Sequence, residues 1–539
     1  MFNIMNNKLN FIELFAYLSV WVCASLYSLV ELFVAQTDIL DSNRQERDSL
    51  EDLKPGWSFI SRLQDVSDIE WSSWKFLIRS SWFYLLITFS ISEAIRKNNI
   101  YFLKYWYIIS TVIFVSLHSS VLQLFILSIQ PIIFAAVIFC GGGKKCIWVI
   151  SISLLLSYNS LKYKQFFWVF LDREDLKDEE VYLMLFAMPW TELRCISYCI
   201  DYVDKKEKFA NSEKVFKENS IFTNIINMFS YIFYLPLLYT GPVVMYEDFE
   251  KSFTVVSQPL IARLKRFALD MSLYFIYTFL LDLSLHYIYF YAMRSNMKLL
   301  KMLPAFPLCG GGFWMGIEFH MKYVISYGTT TAFSRLDQIE APPTPRCIAR
   351  IHVYSQMWRY FDVGLYKFLA KYVYRPTCQS VSRIFKLRDT LSKLLASLVT
   401  FIFTYIWHGH KKSILIWAIL NYVGLALEQL GEAISKTENY KWFKMSVLRT
   451  EKMETRFIAM VCAPLLALSG IANFYLFAGR KVGNLFLERF VLHPSLWNSF
   501  ILLVPLYCCC HVSIALKDCP SRTDVKQIKI PLIGESHHN

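Results

Sequence analysis

Apolar runs of about 18 or more residues with almost no charge recur from Phe11 to His511, and no other feature restricts the fold as much. Each is long enough to cross a hydrocarbon core of about 30 Å as a helix. In lipid the backbone has no water to bond, which leaves helices or closed barrels. The sequence shows no short alternating strands, so a barrel is set aside. Composition agrees, with 55% hydrophobic, 17% aromatic and 18% charged residues among 539 and a mean hydropathy of +0.34. The expected fold class is an all-α polytopic membrane protein.

Candidate segments lie near 11–34, 76–94, 101–118, 120–139, 146–157, 181–200, 221–239, 267–291, 312–332, 391–407, 413–431, 456–477 and 496–516. Cys146–Ser157 is too short to span, and Gly310–Gly312 and Ser326–Thr331 interrupt another run. About ten transmembrane helices plus re-entrant pieces are therefore expected. Without repeats, the simplest organisation is one membrane-embedded domain over 1–539. It comprises N-terminal helices and loops (11–340), a motif region (341–431), C-terminal helices (456–516) and a polar tail (517–539). The first run has no clear cleavage site and reads as a retained signal anchor. Residues 37–70 carry nine acidic and four basic residues, whereas Arg96, Lys97 and Lys104 follow the next run. That bias puts the N-terminus in the cytosol and the first loop in the lumen. The net charge of +13 sits mainly in short connections, as beside anionic lipid, which argues against a nucleic-acid partner. The 13 cysteines show no paired zinc spacing.

Four stretches carry chemistry. CGGGKK (140–145) lacks the strand, spacing and Ser/Thr of a phosphate loop and reads as a turn between membrane segments. In MWRYFDVGLYKFLAKYVYRP (357–376), a continuous helix would put Arg359, Asp362 and Tyr366 on one face, with Lys367 and Lys371 at its margin. Such a helix at a membrane surface presents a cationic edge to a phosphate-bearing ligand; the plainer account is an Arg359–Asp362 pair on a solvated face. FIFTYIWHGH (401–410) ends an apolar run in His408. An ionisable group at membrane depth points to function, while a histidine beside Trp407 and two lysines also suits an interfacial anchor. Hydropathy does not choose between these. Cys347, after the rigid PPTPR, is a candidate thiolate ligand beside its ordinary packing role.

Taken together, RCIARIHVYSQMWRYFDVGLYKFLAKYVYRP, the run ending in WHGH, and WAILNYVGLALE resemble the membrane-bound O-acyltransferase family, and within it the hedgehog acyltransferase branch. GPVVMYEDF, LRCISY and KPGWSFISRLQDVSDIEW extend the likeness over most of the chain. The resemblance implies helices around a central tunnel in endoplasmic reticulum or Golgi membranes. It implies transfer of palmitate from palmitoyl-CoA to the N-terminal cysteine amine of a Hedgehog-family signalling protein, and of Spitz-like EGF ligands in insect members. It places the family histidine on His408, the aspartate on Asp362 and a haem-ligating cysteine on Cys347, making haem b an expected cofactor. Trp358 falls by the acyl-chain and CoA path, Trp407 beside the histidine, and Asn421 on a family position of open role. A related branch without the histidine is silent, so His408 implies an active enzyme; His410 is not a family requirement. About six extra residues fall within Thr377–Leu391.

The implied reaction brings a cytosolic thioester to a lumenal amine. Arg359, Lys367 and Lys371 are the expected phosphate contacts, and His408 the general base. Rival readings are an O-acyltransferase of the same fold acting on a lipid or a serine, and a transporter, whose internal repeats are missing.

Overall fold

The computed structural model describes residues 9–163, 177–210, 220–254, 258–347, 351–385 and 389–517. The expected polar tail lies outside them apart from Lys517. The first half holds α1 (Phe11–Ser42), an antiparallel hairpin of β1 (Leu53–Pro55) and β2 (Leu63–Asp65), then α2 (Ile69–Asn98), α3 (Tyr101–His118), α4 (Val121–Phe139), α5 (Lys144–Tyr163) and α6 (Asp178–Ala210). After α7 (Ile221–Ile232), α8 (Leu260–Ser284) and α9 (Ala305–Leu336) come the motif helices α10 (Tyr354–Phe361), α11 (Val363–Phe368) and α12 (Arg375–Phe385). The chain continues through α13 (Asp389–His408), α14 (Lys412–Ser435), α15 (Glu451–Phe477), α16 (Gly479–Leu487) and α17 (Leu496–Lys517).

Among the described residues, seven helices are long and apolar enough to cross a membrane: α1, α4, α8, α13, α14, α15 and α17. α6 and α9 are more polar because they form the interior. Glu192, Arg194 and Ser197 on α6, and Glu318, Lys322 and Thr331 on α9, are all buried. Some of these groups find partners inside: the Arg194 guanidinium donates to the carbonyls of Ile232, at 2.9 Å, and of Leu237. Pro189 inside α6 lacks the N–H that would bond the Leu185 carbonyl, and the Tyr158 hydroxyl donates there instead at 2.6 Å.

Two expectations are corrected. The run at Cys146–Ser157 is part of the 20-residue α5, whose continuation through Tyr158 and Asn159 is polar by sequence yet buried, with the Asn159 amide donating to the Ile406 carbonyl at 2.7 Å. The glycines and Ser326–Thr331 do not interrupt α9, which runs unbroken for 32 residues. They are there for close approach: a Cβ on Gly310 would lie 2.1 Å from the Ser28 carbonyl oxygen of α1, one on Gly328 2.3 Å from the Tyr274 ring of α8. Small residues at such crossings let helix backbones touch in lipid, where dispersion replaces the hydrophobic effect as the main glue.

The hairpin, which hydropathy did not reveal, docks on the segment after α8. The Trp57 N–H donates to His286 Nε2 at 3.0 Å, and Arg62 to the His286 carbonyl at 3.1 Å. Asp65 accepts from the Ala292 N–H at 2.8 Å and from Ser67 Oγ at 2.5 Å. Burial pushes the Asp65 carboxyl up to about 6 despite these bonds.

Gly310→Ala should lower thermal stability by about 1–3 kcal/mol through overpacking against α1, whereas Gly431→Ala in α14, with nothing within 4 Å of the new methyl, should be neutral or gain up to ~1 kcal/mol. Asp65 binds its proton more tightly in the folded state, so its contribution is complete below about pH 4 and is lost as pH rises through about 6. Melting curves of Asp65→Asn and wild type should diverge over that window in favour of the variant, by on the order of 3 kcal/mol at most.

Candidate active site

His408 is the last residue of α13, because Gly409 takes φ +115°, a conformation open to glycine and closed to most side chains. The imidazole is half-buried between two indoles, its centroid 4.7 Å from Trp407 and 5.0 Å from Trp417. Trp407 is itself fixed, its Nε1–H donating to the Pro189 carbonyl at 3.0 Å and its ring lying 5.2 Å from Trp190.

Asp362 does not lie within a continuous surface helix, as the periodicity of 357–376 suggested. The chain breaks there: α10 ends at Phe361 and Asp362 caps α11, Oδ1 accepting the Leu365 N–H at 2.8 Å. Oδ2 accepts the Tyr327 hydroxyl of α9 at 2.8 Å. Arg359 turns elsewhere, its guanidinium 5.6 Å from the Tyr366 ring centroid, so the i, i+3 ion pair is not what holds this segment. Beyond α11 the chain continues through a π-helical stretch, Leu369–Tyr374, and Leu365, Phe368 and Tyr372 are buried in the core. Gly364 makes that possible, since a Cβ there would stand 2.4 Å from the Val243 carbonyl oxygen.

His408, Asp362, Trp358 and Trp407 share the wall of one cavity of about 690 Å³. Its direction follows from α1, whose Glu13 meets Arg456 at 2.9 Å at one end, while Gln36 accepts from the Tyr289 N–H at 3.0 Å at the other, beside the hairpin. On the hairpin side the wall holds Ser67, Asp68, Glu70, Arg294 and Lys322; on the far side it is apolar, with Trp21, Leu465, Leu502, Leu506 and Cys509. Lys322 Nζ lies 2.7 Å from Asp68 and 2.6 Å from Glu70. Burial alone would raise the Asp68 carboxyl, but the lysine holds it below the usual carboxylate range.

Asn421 stands behind the wall, fully buried, accepting from Trp358 Nε1–H at 3.3 Å and donating to the Trp417 carbonyl at 2.9 Å. Arg359, Lys367 and Lys371 are off the wall, and Lys371 is engaged by Asp201 at 2.8 Å and Glu247 at 3.0 Å. Cys347 is exposed and also off the wall. The residues that follow it, 348–350, lie outside the described ones, and no step is routed through haem. Sequence reasoning missed Asn473, whose Oδ1 accepts the Trp417 Nε1–H at 3.0 Å and so steadies the ring beside His408. An asparagine inside the apolar run 456–477 was the available signal. It also missed Lys322, hidden in a run read as broken.

A profile of MBOAT, the membrane-bound O-acyltransferase family, matches residues 147–466. The chain is 26% identical over 528 residues to protein-cysteine N-palmitoyltransferase Rasp of Drosophila melanogaster, covering 95% of this chain and 97% of that protein. Protein-cysteine N-palmitoyltransferase HHAT of Mus musculus is 26% identical over 342 residues, 63% of this chain and 66% of its own. The mouse HHAT-like protein is 23% identical over 432 residues, 75% of this chain and 77% of its own.

Asp362→Ala removes both the helix cap and the acceptor for Tyr327, and should lower stability in detergent by about 1–2 kcal/mol. Asp362→Asn keeps the capping oxygen, and its melting temperature should fall by less than half as much.

Proposed function

Because the chain belongs to the membrane-bound O-acyltransferase family, we propose that it moves palmitate from palmitoyl-CoA to the N-terminal cysteine amine of secreted signalling proteins of the Hedgehog kind, with Spitz-like EGF ligands as a second class. Its place is the endoplasmic reticulum or Golgi membrane. The names of Rasp and HHAT support the reaction class. The observation that carries the reading is the 690 Å³ cavity, whose wall passes from Asp68 and Glu70, beside His408 and Asp362, to Leu465, Leu502 and Leu506. Two substrates of opposite character, an amine and an acyl chain, suit its two ends.

The α-amine, with a reference pKa of about 7.7–8.0, must shed a proton before it attacks. His408 takes that proton, the freed amine nitrogen bonds to the thioester carbon, and the proton then shed by the adduct's nitrogen goes to the leaving sulfur. The tetrahedral adduct collapses with cleavage of the carbon–sulfur bond, and the CoA sulfur leaves with a proton, giving the amide and free CoA. Asp362 acts by organisation: capping α11 and binding Tyr327 sets the wall that faces His408. Arg359 and Lys367 are the phosphate contacts of this reading; Lys371 serves only by leaving Asp201 and Glu247.

The test uses purified protein, palmitoyl-CoA and a peptide with an N-terminal cysteine, the acyl group being located by mass spectrometry. Wild type should form an N-palmitoyl amide, ignore the N-acetylated peptide, and lose about 10²-fold or more of its turnover in His408→Ala. Turnover undiminished by that substitution, or equal acylation of the blocked peptide, would sink the proposal.

A further inference from the structure

Among the described residues, α1 gives Trp21 alone to the cavity wall. Further along the same face come the small Ser25 and Ser28, and Ser28 lies against Gly310 of α9. The two helices touch there, so room for an indole lies on the Glu13 side of that crossing. Helix geometry sets its height. Glu13 meets Arg456 of α15 at 2.9 Å, and at 1.5 Å per residue Trp21 and Leu465 both stand about 12–14 Å above that pair. Leu466 and Leu506 pack on Ala463 and Cys510, which brings α17 to the same end of the cavity. Higher on α15 come Gly470 and then Asn473, which holds Trp417 beside His408. The wall of α15 thus leads from the reacting histidine to Leu465 over about 12 Å.

Beyond Trp21 the helices are tied to one another. Tyr17, one turn back on α1, donates to Glu13 at 3.0 Å and stacks on His511 of α17, their centroids 4.2 Å apart. The Tyr507 ring stands edge-on to both, at 5.7 and 4.6 Å. These three rings are off the wall, so the cavity stops before them. The slot that leads to this end is kept bare. Gly470 and Gly316 of α9 both belong to the wall; a Cβ on Gly316 would meet nothing within 4 Å, and one on Gly470 only the Phe474 Cζ at 4.0 Å. Unlike Gly310 and Gly328, they serve no helix crossing. Alanine is the better helix former wherever its methyl has room, so what these glycines provide is open width. An apolar slot that ends on an indole takes an unbranched hydrocarbon, and only so much of it.

Resting on the proposed acyl-CoA chemistry, we infer that the Trp21 indole is the stop for the terminal methyl of the donor's acyl chain, and so sets the longest chain whose thioester still reaches His408. Trp21 is thus a specificity-determining residue. It acts on the donor and not on the peptide, whose end of the cavity is at Asp68 and Glu70.

Palmitoyl-CoA carrying a diazirine at its terminal carbon, photolysed with the full-length wild-type protein, should label Trp21 or the neighbouring Leu465 and Leu506, read by peptide mass spectrometry. In turnover, Trp21→Ala should raise the kcat/KM ratio of stearoyl-CoA to palmitoyl-CoA about ten- to twentyfold, each of two added methylenes being worth about fourfold in an apolar slot, with the KM for the cysteine peptide unchanged. Gly470→Leu, which occupies the slot above the indole, should move the preference the other way, toward myristoyl-CoA. Absent label, or label confined to other wall residues, overturns the inference. So does a chain-length profile in Trp21→Ala that matches wild type, or one lowered by the same factor at every length, the mark of a structural role. Labelled Trp21 in a protein without turnover would count against the proposed reaction and leave the stop standing.

Discussion

The approach of α9 to its neighbours is the contact on which the remaining architecture depends. Gly310 meets the Ser28 backbone of α1, Gly311 the Phe290 ring, Gly312 the Phe474 and Phe486 rings, and Gly328 the Tyr274 ring of α8. A helix held this closely on several sides can carry Glu318, Lys322 and Thr331 through the protein without showing them to lipid. It can also supply Tyr327, which fixes Asp362, and Lys322, which gathers Asp68 and Glu70. One helix thereby shapes both the motif wall and the charged end of the cavity.

How much of this was legible depended on where polarity sits. Lipid-facing helices such as α4 and α15 announce themselves, because their exposed faces must be apolar. Interior helices do not. Glycines on α9 looked like breaks and Tyr158 on α5 like an end, because one sequence cannot separate a polar residue meeting water from one meeting a buried carbonyl. The motif residues were legible by resemblance, and His408, Asp362, Trp358 and Trp407 stand on a common wall. The break at Asp362 was not, since FDVG reads smoothly into a helical period; only the contact of Gly364 with Val243, distant in sequence, demands the turn. Asn473 lay in a run read only as a membrane segment.

Polar side chains in this interior act mostly on backbone carbonyls. Tyr158 bonds Leu185, Asn159 bonds Ile406, Arg194 bonds Ile232 and Leu237, and Trp407 bonds Pro189. Each joins two helices without adding a buried charge pair, whose desolvation is costly. Buried ion pairs do occur, at Arg96–Asp337, Arg263–Glu93 and the Lys322 cluster, and the last of these lies on the cavity wall.

The end of α13 bears on how such a protein changes over time. His408 closes the helix, and the connection with about six extra residues leads into its opposite end; 20 residues of α-helix separate the two by about 30 Å. Insertions and deletions there are absorbed far from the imidazole, whose place is set by Trp407, Trp417 and the turn at Gly409. A change of length at one end of α13 therefore leaves the geometry of His408 at the other end as it is.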